Sequence, residues 1–515
     1  MKNRVLISIG FILFSIAIIG CSNSDKNKQE NIPPNIVFIM ADDLGYGELG
    51  CFGQEKIITS NIDALASEGM KFTQFYSGAP VCAPARCILL TGKHSGNAFI
   101  RGNNEWPERG EVWNFEKASK DPGLEGQYPI PAETITMGKL LQGAGYKTAC
   151  IGKWGLGAPN SEGVPNKQGF DFFFGYNCQR QAHTYYPLHL WRNEEKVFLD
   201  NELVVPGTKL EKGADPNNPA SYKKFFQNDY SADLMLDEAL NFMDENKNQP
   251  FFLYYASPIP HDPVQVPKEY VDWYQESFGE EEPYLGDKGY FPNQYPRAAY
   301  AGMINYLDDQ VGKLVAKLKE LGLYENTLII FTSDNGPTYA GGVDAAFFDS
   351  AKPFKSEHGW GKGFTHEGGI RVPMIASWPG HIEQGTENNH ISAFWDVLPT
   401  FCEITNIPVP EDIDGISFLP ALSSMNQENH DYLYWEFPSY TGQQAVRIGK
   451  WKGIRQNIFK GNMDIELYNL ENDIREENNI ALEHPEIVKQ IEEIMLIEHE
   501  PSEMFPLFPS ERNKE

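Results

Sequence analysis

The sequence has few cysteines, and their spacing does not suit a metal cluster. No two of its 7 cysteines stand in a Cys-x-x-Cys pair or at zinc-like spacing. This absence argues against a zinc site built on thiolates. Apart from Cys21, we expect most of them to be small buried hydrophobic side chains; they are Cys51, Cys82, Cys87, Cys150, Cys178 and Cys402. Internal repeats and low-complexity stretches are also absent.

Positive charge is scarce as well. The chain has 43 Lys and Arg against 71 Asp and Glu, which gives a net charge of −28. Phosphate backbones are bound by Lys and Arg, so this balance argues against a nucleic-acid partner. It does not exclude a small anionic substrate, because a local cluster of cations can still receive one.

The N-terminus reads as a targeting segment. Basic MKNR precedes apolar VLISIGFILFSIAIIG, and Cys21 follows. The apolar stretch is short for a membrane span, although a plain anchor helix remains the alternative. The IIGC ending resembles a bacterial lipoprotein cleavage site, which implies that lipoprotein-processing machinery removes residues 1–20 and lipidates Cys21. We expect residues 21–33 to form a polar tether. The protein would then be exported and held only by its lipid anchor, in the periplasm or on the outer-membrane surface of a bacterium.

At 515 residues the chain is too long for one typical domain. We expect a large α/β domain over residues 34–425 and a small C-terminal subdomain over 426–515. Short apolar runs alternate with helical segments, which predicts a mostly parallel sheet covered by helices on both faces.

Chemically active residues follow four of these apolar runs. NIVFIM leads to Asp42 and Asp43, and TLIIFT leads to Asp334 and Asn335. YKTACIG leads to Lys153, and FFLYYAS is soon followed by His261. Each motif alone is typical of an exposed turn. Because ligands bind at the carboxyl ends of parallel strands, the four together predict a site at one edge of the sheet.

Three carboxylates and one amide would supply only oxygen ligands. Such a set favours Ca²⁺, with Mg²⁺ as the second choice, and we expect Asp42, Asp43, Asp334 and Asn335 to bind it. Arg86, Lys153, Lys362 and His261 would surround the metal with hydrogen-bond donors. A ring of donors of this kind suits a tetrahedral oxyanion, either sulfate or phosphate.

The segment CAPARCILLTG resembles the signature of the formylglycine-dependent, or type I, sulfatase family. ADDLGYG, GKW, PHDP, SDNG and KGFTHEGGIRVP resemble the other blocks of that family, in the same order. The resemblance implies an alkaline-phosphatase-like fold: a mixed, mostly parallel sheet sandwiched by helices. It also implies that residues 34–425 are the catalytic domain and that the C-terminal α+β subdomain carries an antiparallel sheet.

The same resemblance implies specific roles for the residues. A formylglycine-generating maturase would oxidise Cys82 to Cα-formylglycine, whose hydrate is the nucleophile of a two-step displacement. Arg86 would stabilise that hydrate, and Lys153 and Lys362 would bind sulfate oxygens. His261 would protonate the leaving alcohol. One position departs from the family, because GKWHLG reads GKWGLG here and Gly155 replaces a histidine. His94 and His183 are the candidates to take over its task.

The loops between these blocks should set specificity. Polar and aromatic groups in FIRGNNEWPERG and YNCQRQAHTYYPLHLWRN suit a sugar, and the candidate substrate-binding residues are His94, Arg101, Asn103, Arg180 and His183. We therefore expect a sulfated glycan as the substrate. Two alternatives stay open: a phosphodiesterase or phosphonate monoester hydrolase of the same superfamily, and a non-catalytic surface protein that binds sulfated glycans.

Overall fold

A computed structural model describes residues 33–512 of the chain. The strands in chain order are β1 Asn35–Ala41, β2 Met70–Phe72, β3 Phe75–Tyr76, β4 Lys147–Lys153, β5 Phe172–Tyr176, β6 His189–Arg192, β7 Glu195–Phe198, β8 Phe251–Ala256, β9 Thr327–Ser333, β10 Met374–Ser377, β11 Thr386–Asn388, β12 Ser392–Ala393, β13 Leu433–Phe437, β14 Gln443–Ile448, β15 Trp451–Gln456 and β16 Glu466–Asn469.

The α-helices lie between and after these strands. They are α1 Ser60–Ser67, α2 Cys82–Thr91, α3 Phe115–Lys120, α4 Met137–Gly143, α5 Ser231–Glu245, α6 Lys268–Phe278, α7 Pro296–Glu320, α8 Ala345–Phe348, α9 Glu367–Ile370, α10 Val397–Ile404, α11 Leu419–Leu422, α12 Pro485–Ile497 and α13 Pro509–Arg512. None of these described helices is both long and apolar enough to cross a membrane.

The main sheet has the strand order β11-β2-β10-β9-β1-β8-β4-β5-β6-β7. The central run from β9 to β5 is parallel, and antiparallel pairs lie on both sides of it. Every residue of β1, β8 and β9 is buried. These strands are continuous apolar runs because helices cover both of their faces. The predicted fold class is therefore confirmed.

Alternate residues of β1 point into two separate apolar cores. Ile36, Phe38 and Met40 pack with residues of α2, α4 and α10. Val37 and Ile39 pack on the opposite face with residues of α1, α5 and α7. The two-residue period of a strand thus builds both halves of the sandwich.

The C-terminal strands form an antiparallel sheet with the order β13-β14-β15-β16, and α12 packs on it. Lys452 of β15 lies in a buried ionic cluster, with its Nζ 2.7 Å from Oε1 of Glu367 and 3.3 Å from Oε1 of Glu476. Since Glu367 begins α9, this cluster ties the C-terminal sheet to the segment that follows Lys362.

From Pro34 onward the chain forms one compact unit. The C-terminal sheet lies wholly within residues 426–515, but the boundary at 425/426 stays a prediction. The expected signal peptide 1–20, lipidation at Cys21 and tether over 21–33 fall outside the described residues, apart from Pro33. The six cysteines from Cys51 onward are all free thiols.

Candidate active site

Cys82 is the first residue of α2 and lies within a buried polar cluster. It is 1% exposed, and its Sγ lies 3.3 Å from Oδ1 of Asp42 and 3.6 Å from Nζ of Lys153. Pro84 falls in the first turn of the helix, where a missing N–H costs nothing. Burial and the nearby charge of Asp42 raise the pKa of the Cys82 thiol far above its ordinary value. The unmodified thiol is therefore protonated and is a poor nucleophile.

The strand register explains why two distant acidic motifs meet. β1 and β9 are parallel neighbours, and Ala41 pairs with Ser333. Asp42 and Asp43 therefore leave the sheet beside Asp334. The N–H of Asp43 donates to Oδ1 of Asp334 at 3.0 Å, and Nδ2 of Asn335 donates to Oδ1 of Asp43 at 2.8 Å.

All three carboxylates are fully buried, and their proximity shifts their pKa values. Burial, followed by the charges of Asp42 and Asp43, raises the pKa of Asp334 to about 7. Burial likewise raises the pKa of Asp43. For Asp42 the burial effect is outweighed by the charges of Lys153 and Arg86, so its pKa is lowered. Carboxylates packed this closely out of water require cations around them.

Three basic side chains supply part of that positive charge. Lys153 Nζ lies 2.6 Å from Oδ2 of Asp42, and Lys362 Nζ lies 2.6 Å from Oδ2 of Asp43. Arg86 contacts Asp334 at 2.9 Å and Asp42 at 3.2 Å through Nη2, while its buried Nε has no hydrogen-bond partner. The predicted donors Arg86, Lys153 and Lys362 are therefore brought together around the carboxylates.

His261 closes the cluster from the end of β8. Its Nδ1 is hydrogen-bonded to the carbonyl of Asp262, and its Nε2 lies 3.8 Å from Oδ2 of Asp43. Burial and the charges of Lys153 and Lys362 hold the pKa of His261 well below 6.5, so the ring is neutral. His183 stacks on this ring with centroids 5.5 Å apart, and Tyr290 packs edge-on against His183 at 5.1 Å.

The donor atoms at this edge suit a divalent cation. Ligand atoms of Asp42, Asp43, Cys82 and His261 all lie within 4.8 Å of one another. Oδ1 of Asn335 is buried and has no hydrogen-bond partner, which leaves its lone pairs free. Asp42 and Asp43 belong both to this group and to the predicted ligands, and carboxylate and amide oxygens suit Ca²⁺ or Mg²⁺. Asp334 and Asn335 stay predicted ligands.

Three of the predicted substrate-binding residues make ion pairs or hydrogen bonds within the protein. His94 follows the far end of α2, and the 10 residues of that helix place it about 15 Å from Cys82. Its Nε2 lies 2.8 Å from Glu498. Arg101 is buried against Glu436 at 2.8 Å, and Arg180 donates to the carbonyls of Val112 and Trp113. These contacts are made within the protein, and a substrate-binding role for the three residues stays a prediction.

Asn103 and His183 do lie at the site. Oδ1 of Asn103 accepts a hydrogen bond from the N–H of Ala83 at 2.8 Å, which caps the helix that starts with Cys82. Sequence reasoning missed Tyr290, whose surroundings GDKGYFPN read as a plain turn. It considered Gln179 only as one amide of a loop that suits a sugar. A Cβ placed on Gly155 would lie only 1.9 Å from Nε2 of Gln179, so the amide of Gln179 occupies the space of the absent side chain.

Comparison with known proteins gives consistent matches over most of the chain. A family model described as Sulfatase matches residues 34–407, and one described as N-sulphoglucosamine sulphohydrolase, C-terminal, matches residues 356–500. Arylsulfatase A from Homo sapiens is 31% identical over 454 residues, covering 82% of this chain and 74% of that protein. N-acetylgalactosamine-6-sulfatase from Homo sapiens is 30% identical over 438 residues, covering 83% and 74%.

A solved structure shares the whole fold. The crystal structure of Ps i-CgsB is 28% identical, covers 90% of this chain and 93% of its own, and superimposes with a TM-score of 0.71. That protein has also been solved in complex with k-i-k-neocarrahexaose, with the same coverage and TM-score of 0.71.

Proposed function

This chain belongs to the sulfatase family and is a sulfuric ester hydrolase; from that premise we propose that it removes sulfate from a sulfated carbohydrate. The proposed nucleophile is the Cα-formylglycine that a maturase would form from Cys82, and the proposed cofactor is a divalent cation, Ca²⁺ before Mg²⁺. One observation carries the proposal: the Sγ of Cys82 lies 3.3 Å from Asp42, inside the same buried cluster as three basic side chains.

Oxidation of Cys82 gives this position a chemistry that the thiol lacks. The raised pKa of the thiol leaves it protonated at neutral pH. The hydrated aldehyde would supply one hydroxyl to attack sulfur and a second to release the bound sulfate. Arg86 and Lys153 flank this position and would neutralise the negative charge that develops there.

Sulfate would be held by the cations that face the carboxylates. Lys362 and Lys153 each present an ammonium group at the cluster, and either can donate to a sulfate oxygen. Asp42, Asp43, Asp334 and Asn335 would hold the cation, which would polarise a sulfate oxygen when bound.

The two stacked imidazoles are the groups that would move protons. The carbonyl of Asp262 only accepts, so the proton of the neutral His261 ring lies on Nδ1 and Nε2 presents a lone pair. Nε2 would first accept the proton given up by the attacking hydroxyl and would then pass it to the leaving alcohol oxygen. Of the two candidates for the histidine missing at Gly155, His183 lies against His261, whereas His94 lies at the far end of α2. We assign the second proton-transfer role to His183.

The relatives support a sugar as the leaving group. One is named for N-acetylgalactosamine 6-sulfate chemistry, and one solved relative was crystallised with a neocarrahexaose. The export of this chain as a lipoprotein anchored through Cys21 would place such an enzyme where glycans are degraded outside the cell; that localisation is part of the proposal.

Two measurements test the proposal. Protein from the native host, and its Cys82→Ala variant, are incubated with sulfated monosaccharides and oligosaccharides and with an aryl phosphate. We expect sulfate release by the wild type alone and no phosphate release by either. Mass spectrometry of the peptide spanning Cys82 should show the aldehyde in the wild type. An intact thiol in protein from the native host, or faster release of phosphate than of sulfate, would refute the mechanism.

A further inference from the structure

Two amide side chains next to the cluster are buried without hydrogen-bond partners among the described residues. Gln179 is 4% exposed, and neither its Nε2 nor its Oε1 has a partner. Oδ1 of Asn177, which is 1% exposed, has none either. An unpaired buried polar group costs about 1–3 kcal/mol of stability. Such groups are satisfied by an ordered water, an ion or a ligand, and beside an active site a ligand is the alternative that can be tested.

Gly155 makes room for the amide of Gln179 beside Lys153. β5 pairs in parallel with β4, so the segments after both strands leave the sheet at the same edge. Gly155 stands two residues after Lys153 and has φ +84°, a conformation that favours glycine. Any side chain there would start 1.9 Å from Nε2 of Gln179. The amide is therefore held next to the segment that presents Lys153.

A chain of hydrogen bonds connects Gln179 with the start of α2 on the other side. The N–H of Gln179 donates to Oε1 of Gln127 at 2.9 Å, and Nε2 of Gln127 donates to the carbonyl of Asn103 at 3.3 Å. Asn103 in turn accepts from the N–H of Ala83, the residue after Cys82. Gln179 is thus connected both to the segment after Lys153 and to the start of the helix that carries Cys82.

The carboxyl group of Glu105 lies beside this chain of hydrogen bonds. Glu105 pairs with Gln127 in an isolated β-bridge, and its Oε1 is buried without a partner. Burial is the main cause that raises the pKa of Glu105 to about 8, so the group is protonated at neutral pH and can donate as well as accept. Glu105 is also close enough to Cys178, the residue between the two amides, to raise the pKa of its thiol.

The unpaired atoms include both a donor and acceptors, which favours a ligand group that can donate and accept. Sulfate oxygens only accept hydrogen bonds, and the cations of the cluster already serve them. A sugar hydroxyl both donates and accepts, so it can satisfy the Nε2 and Oε1 of one amide together. We propose that Gln179, with Asn177 and Glu105 beside it, binds the hydroxyl groups of the sugar that carries the sulfate. This assignment rests on the proposed function.

Replacing Gln179 by leucine separates this role from a structural one. Gln179→Leu keeps the volume and removes the unpaired atoms without breaking a side-chain hydrogen bond. We expect a Tm equal to or above that of the wild type. On the sulfated sugar that the wild type hydrolyses fastest, kcat/KM should fall about 10- to 100-fold, which corresponds to the loss of one buried hydrogen-bonded pair. Competitive inhibition by inorganic sulfate should change less than about twofold.

The same substitution at Gln265 is the matched control for stability. Gln265 is equally buried, but its Oε1 accepts from the N–H of Tyr185 at 3.0 Å and its Nε2 donates to the carbonyl of Phe225. Gln265→Leu leaves those backbone groups unpaired, so its Tm should fall where that of Gln179→Leu does not.

The possible results distinguish the sugar-binding role of Gln179 from the proposed function of the enzyme. If the wild type releases sulfate and Gln179→Leu keeps its kcat/KM, the inference is wrong while the proposed function stands. If sulfate inhibition weakens as much as kcat/KM falls, the amide binds sulfate rather than the sugar, and the inference is again wrong. A lower Tm than wild type would assign Gln179 a structural role. A wild type that releases no sulfate from any sulfated sugar would refute both proposals.

Discussion

Lys452 is a buried charged residue that pairs with two buried glutamates. Its ammonium group lies between Glu367 and Glu476, and all three side chains are almost completely out of water. Burial opposes ionisation of Glu367, but Lys452, Arg371 and Arg447 outweigh it and lower the pKa of Glu367 to about 2. Glu367 is therefore ionised, whereas burial and the charge of Glu367 raise the pKa of Glu476 to about 7 despite Lys452.

Lys452→Met should destabilise the protein strongly. The variant keeps the aliphatic volume but leaves buried carboxylates without their cation, which typically costs about 3–5 kcal/mol. Thermal or denaturant unfolding measures the loss. Lys450→Met is the control, because the side chain of Lys450 is 42% exposed and its substitution should change stability by less than about 0.5 kcal/mol. Equal effects of the two variants would contradict the role given to Lys452.

Whether the role of a single residue can be predicted from the sequence depends on whether its partners are near or far along the chain. Asp42, Asp43, Asp334 and Lys153 directly follow apolar runs, and the position of a residue at a strand end is visible in a sequence. Arg101 and His94 have equally polar side chains, but their role depends on Glu436 and Glu498, which lie far away along the chain. A distant partner leaves no local pattern, so the sequence does not reveal these two contacts.

The loop that carries Asp334 and Asn335 packs closely against the segment around α9. The N–H of Gly336 donates to the carbonyl of Gly369 at 2.9 Å, and a Cβ on Gly336 would lie 1.8 Å from the carbonyl oxygen of Gly368. Gly336 follows the proposed ligands Asp334 and Asn335. The absence of a side chain there lets the segment around α9 pack against the carboxylates.

Gly336→Ala should therefore lower both stability and activity. The methyl group must push the two backbones apart, which costs about 1–3 kcal/mol in a packed interior and displaces Asn335. Gly143→Ala is the matched control, because a Cβ at the end of α4 meets nothing within 4 Å and should leave stability equal or higher. Unfolding curves and sulfate release are measured for both. An unchanged Tm in Gly336→Ala would show that the contact is not tight.

The C-terminal tail is attached through His499. Nδ1 of His499 lies 2.8 Å from Glu436 of β13, and Nε2 lies 2.6 Å from Glu511 of α13. Burial opposes the charged ring, but these two carboxylates outweigh it and raise the pKa of His499 above its ordinary value. The contacts of the tail thus favour the charged form of His499.

The raised pKa predicts how this attachment depends on pH. A group whose pKa is higher in the folded state stabilises fully below its unfolded pKa, about 6.5 for histidine, and loses that stabilisation as pH rises through the folded value. The Tm difference between wild type and His499→Gln should therefore be largest below about pH 6.5 and shrink in alkaline buffer. A difference that stays constant across this range would contradict the ion pairs.

Across the whole molecule, the site draws residues from four strands that are far apart in sequence. The parallel order β9-β1-β8-β4 brings Asp334, Asp42, His261 and Lys153 to one edge. A cation bound there would link segments separated by nearly 300 positions, since 292 separate Asp43 from Asn335. Its binding should therefore be visible in global stability.

Metal removal should lower the Tm, and Ca²⁺ should restore it. A ligand that binds only the folded state adds about 2.7 kcal/mol at a concentration 100 times its Kd. The measurement compares chelator-treated protein with and without added Ca²⁺ or Mg²⁺. In Asp43→Asn the metal-dependent shift should be much smaller than in the wild type. A Tm that responds to neither chelator nor metal in the wild type would exclude a structural cation at this edge.

The sequence predicts the fold class of the whole molecule but not the order of its strands. Alternation of apolar runs and helical segments indicates a covered parallel sheet, because each such strand needs helices on both faces. The ten-stranded order and the antiparallel placement of β10 depend on which distant strands pair. The small C-terminal sheet was expected from resemblance alone, since its short strands carry no decisive pattern.

In genetic terms, the buried link between Lys452 and Glu367 makes the 3′ part of the reading frame indispensable. A stop codon before position 452 would remove the cation and leave Glu367 ionised in an apolar setting, beside the segment that presents Lys362. Such an allele should behave as a complete null, even though every proposed catalytic residue is still translated.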